Sequence, residues 1–283
     1  MSLTVEILTE AELDAANEVI KAAYNNPHGR AETLRRYLAL QPDGTCVVKY
    51  DGQVVGFGGA IHYGAFAYIG MMSVHPAMQR RGIGQVIMDY LLDWLDRRAC
   101  PTILLDATPA GRPLYERCGF IEKDTTVVLR YTQVEMPAQT ASEQVYKANA
   151  SDLPELIAFD APAFGAERRA LLAAYYADDP RRVLIARDAN GRLNGYLIAQ
   201  QSVIGPWVAR GAADAERLLL RALALPFDDH PRVFVSQHNT AALQLLARHG
   251  FTQQRTLSHM RRGEHIQRSR HTMIYGQTSL GFG

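Results

Sequence analysis

Met71-Met72-Ser73-Val74-His75-Pro76-Ala77-Met78-Gln79-Arg80-Arg81-Gly82-Ile83-Gly84 is the stretch on which the reading of this chain turns. Its first residues end an apolar strand, and a glycine-containing turn leads into Ile83, Val86, Ile87, Tyr90, Leu91, Trp94 and Leu95, which recur at helical spacing. Such a turn points successive backbone N–H groups into one concavity. The helix N-terminus stands behind them, so the turn favours an anion. Gly82 and Gly84 lack side chains and let a pyrophosphate approach the backbone, while Arg80 and Arg81 add positive charge. The glycines by themselves fit a plain tight turn equally well. The stretch lacks both Gly-Lys-Ser/Thr and Gly-x-Gly-x-x-Gly, so it matches neither a nucleotide-triphosphate loop nor a dinucleotide fingerprint.

Upstream, a short strand is expected over 3–8. Thr9-Glu10-Ala11-Glu12 then reads as a capping box opening a helix whose face carries Leu13, Ala16, Ile20 and Ala23. A second helix is expected over 31–40. Strands over 45–50 and 53–62 are joined by Asp51-Gly52, a hairpin pair because both residues tolerate positive φ. A strand over 66–74 precedes the turn. Downstream come a buried strand at 102–106, a helix at 109–118 and strands over 120–131.

The second half runs through the same order. Strands at 182–187 and 193–201 are joined by Asn190-Gly191, and Ser151-Asp152 reads as a helix cap. Asp51-Gly52-Gln53-Val54-Val55-Gly56-Phe57 matches Asn190-Gly191-Arg192-Leu193-Asn194-Gly195-Tyr196 at an offset of 139. Leu114-Tyr115-Glu116-Arg117-Cys118-Gly119-Phe120 matches Leu245-Leu246-Ala247-Arg248-His249-Gly250-Phe251 at an offset of 131. The second copy has therefore lost 8 residues, in the region where the first carries Gln79–Gly84. The expected domains are 1–132, a polar linker at 133–143, and 144–283 with a C-terminal tail.

With 283 residues, two domains are the natural prior, and a net charge of +1 gives no general call for nucleic acid or membrane. Residues 1–132 hold 13 basic and 15 acidic groups, and residues 144–283 hold 17 and 12, a mild asymmetry. Part of it lies in the basic run 261–271, which reads as a solvated loop. Cys46, Cys100 and Cys118 cannot all pair and form no Cys-x-x-Cys, which suggests free thiols and a cytoplasmic location. The N-terminus does not read as a signal peptide, and no apolar run has the length of a membrane span. A metal is not expected.

Gln79–Gly84 after a strand, then the strand at 102–106, then Leu114-Tyr115-x-x-x-Gly119-Phe120 together resemble the GNAT family of acyl-CoA N-acyltransferases. The resemblance covers 1–132 in motif and 144–260 in topology. It implies an α/β fold of two GNAT-like acyltransferase domains in tandem, each a mixed central sheet flanked by helices, the second degenerate. It implies acetyl-CoA as donor, bound at Met72, Ser73, Val74, Gln79, Arg80, Arg81, Gly82, Ile83, Gly84 and Gln85. The pantetheine arm would lie between two splayed strands, and a backbone N–H near Met72–Val74 would polarise the thioester carbonyl. Tyr115 matches the family's general acid, and a phenol stays protonated at neutral pH.

The general base is open. Tyr68 aligns with a glutamate used by histone-type members and cannot serve as a base at neutral pH. His62, at the end of the preceding strand, is the candidate, with His75 and ordered water as other readings; Asp106, at the end of the next strand, reads as a residue that orients substrate or as a cap or turn residue. In the second copy Leu246 replaces Tyr115 and Gly211 stands alone where the pair should be, so that half is expected to bind no CoA productively. Its expected roles are to complete the substrate cleft, to shield the first half's splayed sheet or to form an interface, and a homodimer is a separate expectation for the chain. Trp207 reads as packing. The leading function is acetyl transfer to a small-molecule amine. A protein N-terminus or lysine, a longer acyl group, and a non-catalytic acyl-CoA sensor or scaffold are the alternatives.

Overall fold

A computed structural model describes residues 2–133, 144–269 and 271–283; all of the expected linker but Gln133 lies outside the described residues. The chain forms two compact units. One comprises Met1–Ile121, Met260–His265 and Leu280–Phe282, the other Glu122–His259, Ile266–Ser279 and Gly283. These units do not follow the linear halves expected from the repeat. Residues 122–131 belong with the second unit, and 260–265 and 280–282 with the first.

The first unit runs β1 (Leu3–Glu6), α1 (Leu13–Tyr24), α2 (Ala31–Leu40), β2 (Thr45–Tyr50), β3 (Gln53–His62), β4 (Ala67–Val74), α3 (Ile83–Asp96), β5 (Thr102–Ala107) and α4 (Arg112–Arg117). The expected capping box is present at Thr9 and Glu12, followed by a short 3-10 turn into α1. Asp51 and Gly52 both take positive φ and turn β2 into β3, the geometry that matches strand twist. β1 to β4 pair antiparallel in sequence order, and β4 pairs parallel with β5.

Alternation along the strands sends side chains to two cores. Cys46, Val48 and Ala60 join Ile87, Met88, Leu91, Trp94 and Leu95 of α3 on one face. Val47 and Phe57 join Leu13, Ala16, Ile20 and Leu34 of α1 and α2 on the other. Each fully buried side chain of leucine size contributes roughly 1.5–3 kcal/mol. Packing of the amphipathic faces therefore holds these helices far more than propensity does.

The second unit takes most of β6 (Ile121–Tyr131) and continues with β7 (Val145–Lys147), α5 (Leu153–Phe164), α6 (Arg169–Asp178), β8 (Val183–Arg187), β9 (Leu193–Ala199), β10 (Ile204–Ala209), α7 (Ala212–Leu223), β11 (Arg232–Ser236), α8 (Thr240–Arg248), most of β12 (Phe251–Gly263) and β13 (Ile274–Gly276). One sheet has the order β13-β10-β9-β8-β7, and β6 lies between β12 and β11. The core gathers Leu218, Leu219, Ala222 and Leu223 of α7 with Trp207, Leu246 and Phe251.

Three local expectations change. Asn149 caps a 3-10 turn over Ala150–Asp152, with Asp152 completing its capping box, while Asp152 holds the N-cap position of α5 without a side-chain cap bond. In the β8–β9 loop only Gly191 takes positive φ, so this is a longer loop and not a two-residue turn. The basic run expected as a solvated loop begins inside β12, where Arg262 pairs with Asp96 at 3.0 Å. Among the described residues no helix is long and apolar enough to cross a membrane, and Cys46, Cys100 and Cys118 are free thiols.

Candidate active site

β4 is irregular where the donor site is expected. Between Gly70 and Ser73 it carries one more residue than β3 does opposite, a bulge, and Met71 takes φ 59. Such a left-handed residue outside glycine is uncommon and clusters at functional sites. Met72 has no register partner on β3 within the bulge, and Tyr24 Oη donates to its carbonyl at 2.8 Å. β4 and β5 pair only at Ala67↔Ile103 and Tyr68↔Leu104, and from there towards Met72–Val74 no further pairing joins them. This is the splay that the family resemblance implied.

Beyond Val74, His75 N–H donates to Val55 O at 2.8 Å and Gln79 Nε2 to Val74 O at 3.2 Å, which tie the turn back to the sheet. Arg80 takes φ 64 and Gly82 φ 82, and Gly82 caps α3 without any side-chain cap. Helix bonds begin with Gln85 and Val86 donating to Gly82 O. The N–H groups of Arg80, Arg81, Gly82, Ile83 and Gly84 thus have no acceptor among the described residues. A Cβ on Gly82 would meet nothing within 4 Å. Five free amides at a helix N-terminus, flanked by two exposed arginines, fit a diphosphate.

Tyr115 comes to the same end of the sheet. Leu114 lies 3.2 Å from where a Gly84 Cβ would stand, and Gln85 Nε2 lies 3.5 Å from Cys118 Sγ and 2.7 Å from Asp89 Oδ1. Gly119 at φ 84 ends α4 and turns Phe120 into the core against the Tyr115 ring. This gives the Leu-Tyr-x-x-x-Gly-Phe spacing its physical reason. Tyr115 is buried, and burial first, then the neighbouring Tyr24 and Cys118, pushes its phenol well above the ordinary tyrosine range. Ser73 is buried on the strand, and its Oγ has no hydrogen-bond partner among the described residues.

His62 is not brought to this end. It pairs with Ala67, at the opposite end of the β3–β4 pair from Met72–Val74, and the two positions are separated along β4 by about 20 Å of extended chain. Burial and then the Arg98 charge hold its imidazole below the usual histidine range, and its Nε2 is buried without a partner among the described residues. Tyr68 donates to the Asp106 carboxylate, which joins two side chains the sequence had weighed separately. His75 spends Nδ1 on the amide of Ala77. An open groove of ≈1220 Å³ bounded by Glu12, Glu18, Lys21, Lys49, His75 and Met78 includes neither Tyr115 nor Met72. Sequence reasoning missed Tyr24, whose place at the last turn of α1 carries no local signal of a contact 48 residues away.

The second copy closes the equivalent site. β10 and β11 share a single parallel bridge, next to β10, at Val203↔Arg232. β13 pairs with β10 through Trp207↔Gly276 and Val208↔Ile274, and Gln277 N–H donates to Phe234 O of β11 at 2.9 Å. Residues 274–277 thus bond to both strands of the splay. Trp207 and Leu246 are fully buried, as packing residues. Gly211 caps α7 in extended conformation, without the left-handed turn of Gly82.

Residues 11–120 match the model of the acetyltransferase (GNAT) family, and residues 156–276 match that of an acetyltransferase (GNAT) domain. Uncharacterized N-acetyltransferase YitH of Bacillus subtilis is 26% identical over 205 residues, 71% of each chain. Mycothiol acetyltransferase of Clavibacter sepedonicus is 30% identical over 207 residues, 63% of this chain and 67% of that one. A crystal structure of a Pyrococcus horikoshii protein, described as a candidate acetyltransferase, is 28% identical with a TM-score of 0.88, over 99% of this chain and 96% of that one.

Proposed function

As this chain belongs to the GNAT family of acetyltransferases and carries two of its domains in tandem, we propose that its first domain transfers the acetyl group of acetyl-CoA to the primary amine of a small molecule. The observation that carries the reading is the run of five unpartnered amides from Arg80 to Gly84, beside the divergence of β4 from β5. In this reading those amides and the two arginines hold the pyrophosphate. Gln79 and Gln85 brace the two ends of the turn. Met72, Ser73 and Val74 offer strand backbone to the pantetheine arm.

Acetyl-CoA supplies the thioester: its acyl carbon takes the amine lone pair, and the carbon–sulfur bond breaks. A backbone N–H near Met72–Val74 stabilises the charge that builds on the carbonyl oxygen. Tyr115 gives its phenolic proton to the departing thiolate, and burial, which raises its pKa, keeps that proton in place at neutral pH. The proton lost by the amine nitrogen returns to Tyr115, so the balance closes at amide plus free thiol. With His62 at the far end of the strand pair, an ordered water is the preferred route for the first proton. A relative whose name specifies mycothiol supports a small acceptor.

The test is calorimetric titration of the full chain with acetyl-CoA, followed by thiol release against a panel of small amines. Binding with amine-dependent release is expected. Absence of binding would remove the loop assignment. Binding with release only on peptide N-termini or lysines would replace the small acceptor by a protein.

A further inference from the structure

Asp124 on β6, His238 just after β11 and His271 just before β13 come from three separate parts of the second unit, yet one ligand atom of each lies within 4.8 Å of the others. His238 Nδ1 stands 2.9 Å from Asp124 Oδ1, and His271 Nε2 stands 3.4 Å from Asp124 Oδ2. The two imidazoles stack with centroids 5.0 Å apart. The carboxylate is buried at 3% exposure, while the histidines open to solvent at 58% and 51%.

Ser236 Oγ donates to Asp124 Oδ2 at 2.6 Å and accepts the amide of His238 at 3.2 Å. The amide of Thr125 donates to Asp124 Oδ1 at 2.7 Å. The two bonds to Asp124 fix the direction of its carboxylate oxygens, which is what partners behind the ligands do at metal sites. Either imidazole can shift its proton to the far ring nitrogen and present a lone pair inward. Each imidazole nitrogen stands 2.9 or 3.4 Å from its own carboxylate oxygen, Oδ1 or Oδ2, near the ~3.3 Å edge of a tetrahedron with zinc–nitrogen bonds near 2.05 Å, and one donor atom of each residue lies within 4.8 Å of the others.

We propose that Asp124, His238 and His271 bind one Zn²⁺ ion, with the fourth position open to water. Two imidazoles and one carboxylate suit a borderline divalent ion better than Mg²⁺ or Ca²⁺, which take oxygen ligands. The ion joins β6, the end of β11 and residue 271. It thereby secures the segment that leads into β13, the strand bonded to both β10 and β11. This site is independent of the acetyl-transfer reading and is tested without activity.

The experiment is calorimetric titration of tag-free, chelator-stripped full chain with Zn²⁺, with a parallel melting curve. One site per chain is expected, absent in His271→Ala and Asp124→Asn. Ser236→Ala should bind about 10–100-fold more weakly. Zn²⁺ at a hundredfold excess over its Kd should raise the parent's Tm by about 5 °C and leave His271→Ala unmoved. If Asp124→Asn does not fold, the half-exposed His271 still decides the matter. Equal Zn²⁺ binding by parent and His271→Ala, or none by the parent, overturns the proposal and leaves a carboxylate–histidine hydrogen-bond cluster.

Discussion

Tyr24 Oη, at the last turn of α1, donates to the carbonyl of Met72, the residue that follows the left-handed Met71 in the β4 bulge. The bond joins α1 to a bulge position that has no register partner on β3. Removing the hydroxyl leaves that carbonyl to water. Tyr24→Phe should lower kcat/KM by about threefold to tenfold, the worth of one hydrogen bond. Acetyl-CoA affinity and thiol release, measured side by side, check it, and parent-level turnover would remove Tyr24 from the site.

Tyr115→Phe should reduce kcat by about a hundredfold or more, as loss of a general acid does, while acetyl-CoA affinity stays near that of the parent. Because burial raises the Tyr115 pKa, the phenol keeps its proton through pH 10. An alkaline limb in the kcat profile below pH 9 must then belong to another group and must persist in the variant. A limb that vanishes with the hydroxyl would contradict the assignment.

Gly82 allows loop geometry and anion binding to be separated. Its φ of 82 strains any side chain, but a Cβ there meets nothing. Gly82→Ala should cost about 1–2 kcal/mol of stability from backbone strain alone. Gly82→Glu should abolish acetyl-CoA binding by setting a negative charge among amides that favour an anion. Calorimetry and melting curves on both variants test this, and unaltered affinity in Gly82→Glu would refute the loop assignment.

Alkaline pH should destabilise the protein through its buried acids. Burial raises the Cys46 thiol to about 12 from an ordinary 9.0 and pushes the Tyr196 phenol well above its usual range. Between the unfolded and folded pKa values the unfolded chain has released protons that the native state still holds, so stability falls as pH rises. For Cys46 that window is pH 9 to 12. Denaturant midpoints across it should decline, and less steeply for Cys46→Ala; parallel curves would show that Cys46 titrates normally.

Asp160 and Arg168 form a buried pair at 2.7 Å, with Tyr196 and Thr278 bonded around it. Asp160→Ala strands the guanidinium in the core of the second unit. It should cost about 3–5 kcal/mol, read as a shift in the urea midpoint. A cost below 1 kcal/mol would mean that water reaches the charge.

A single full-length chain should bind one acetyl-CoA. The splay of β4 and β5 is open, whereas residues 274–277 bond to both β10 and β11. A stoichiometry of two would show that β13 yields to the donor.

Gln79–Gly84, the capping box at Thr9, the Asp51-Gly52 turn and the Leu114–Phe120 motif were all legible in the sequence. Each is set by residues within a few positions of one another, where steric limits on φ and hydrogen-bond reach act locally. The internal repeat and the loss of the loop from the second copy were legible for the same reason. Tertiary structure alone decided which strand went where. β6 and residues 260–265 each pack in the unit of the other repeat, and β13 fills the second splay. It also decided the Tyr24–Met72 bond, the remoteness of His62 from the bulge and the meeting of Asp124 with His238 and His271. Strand pairing satisfies backbone groups across any sequence distance, so a period of two shows that a segment is a strand but not which edge it will join.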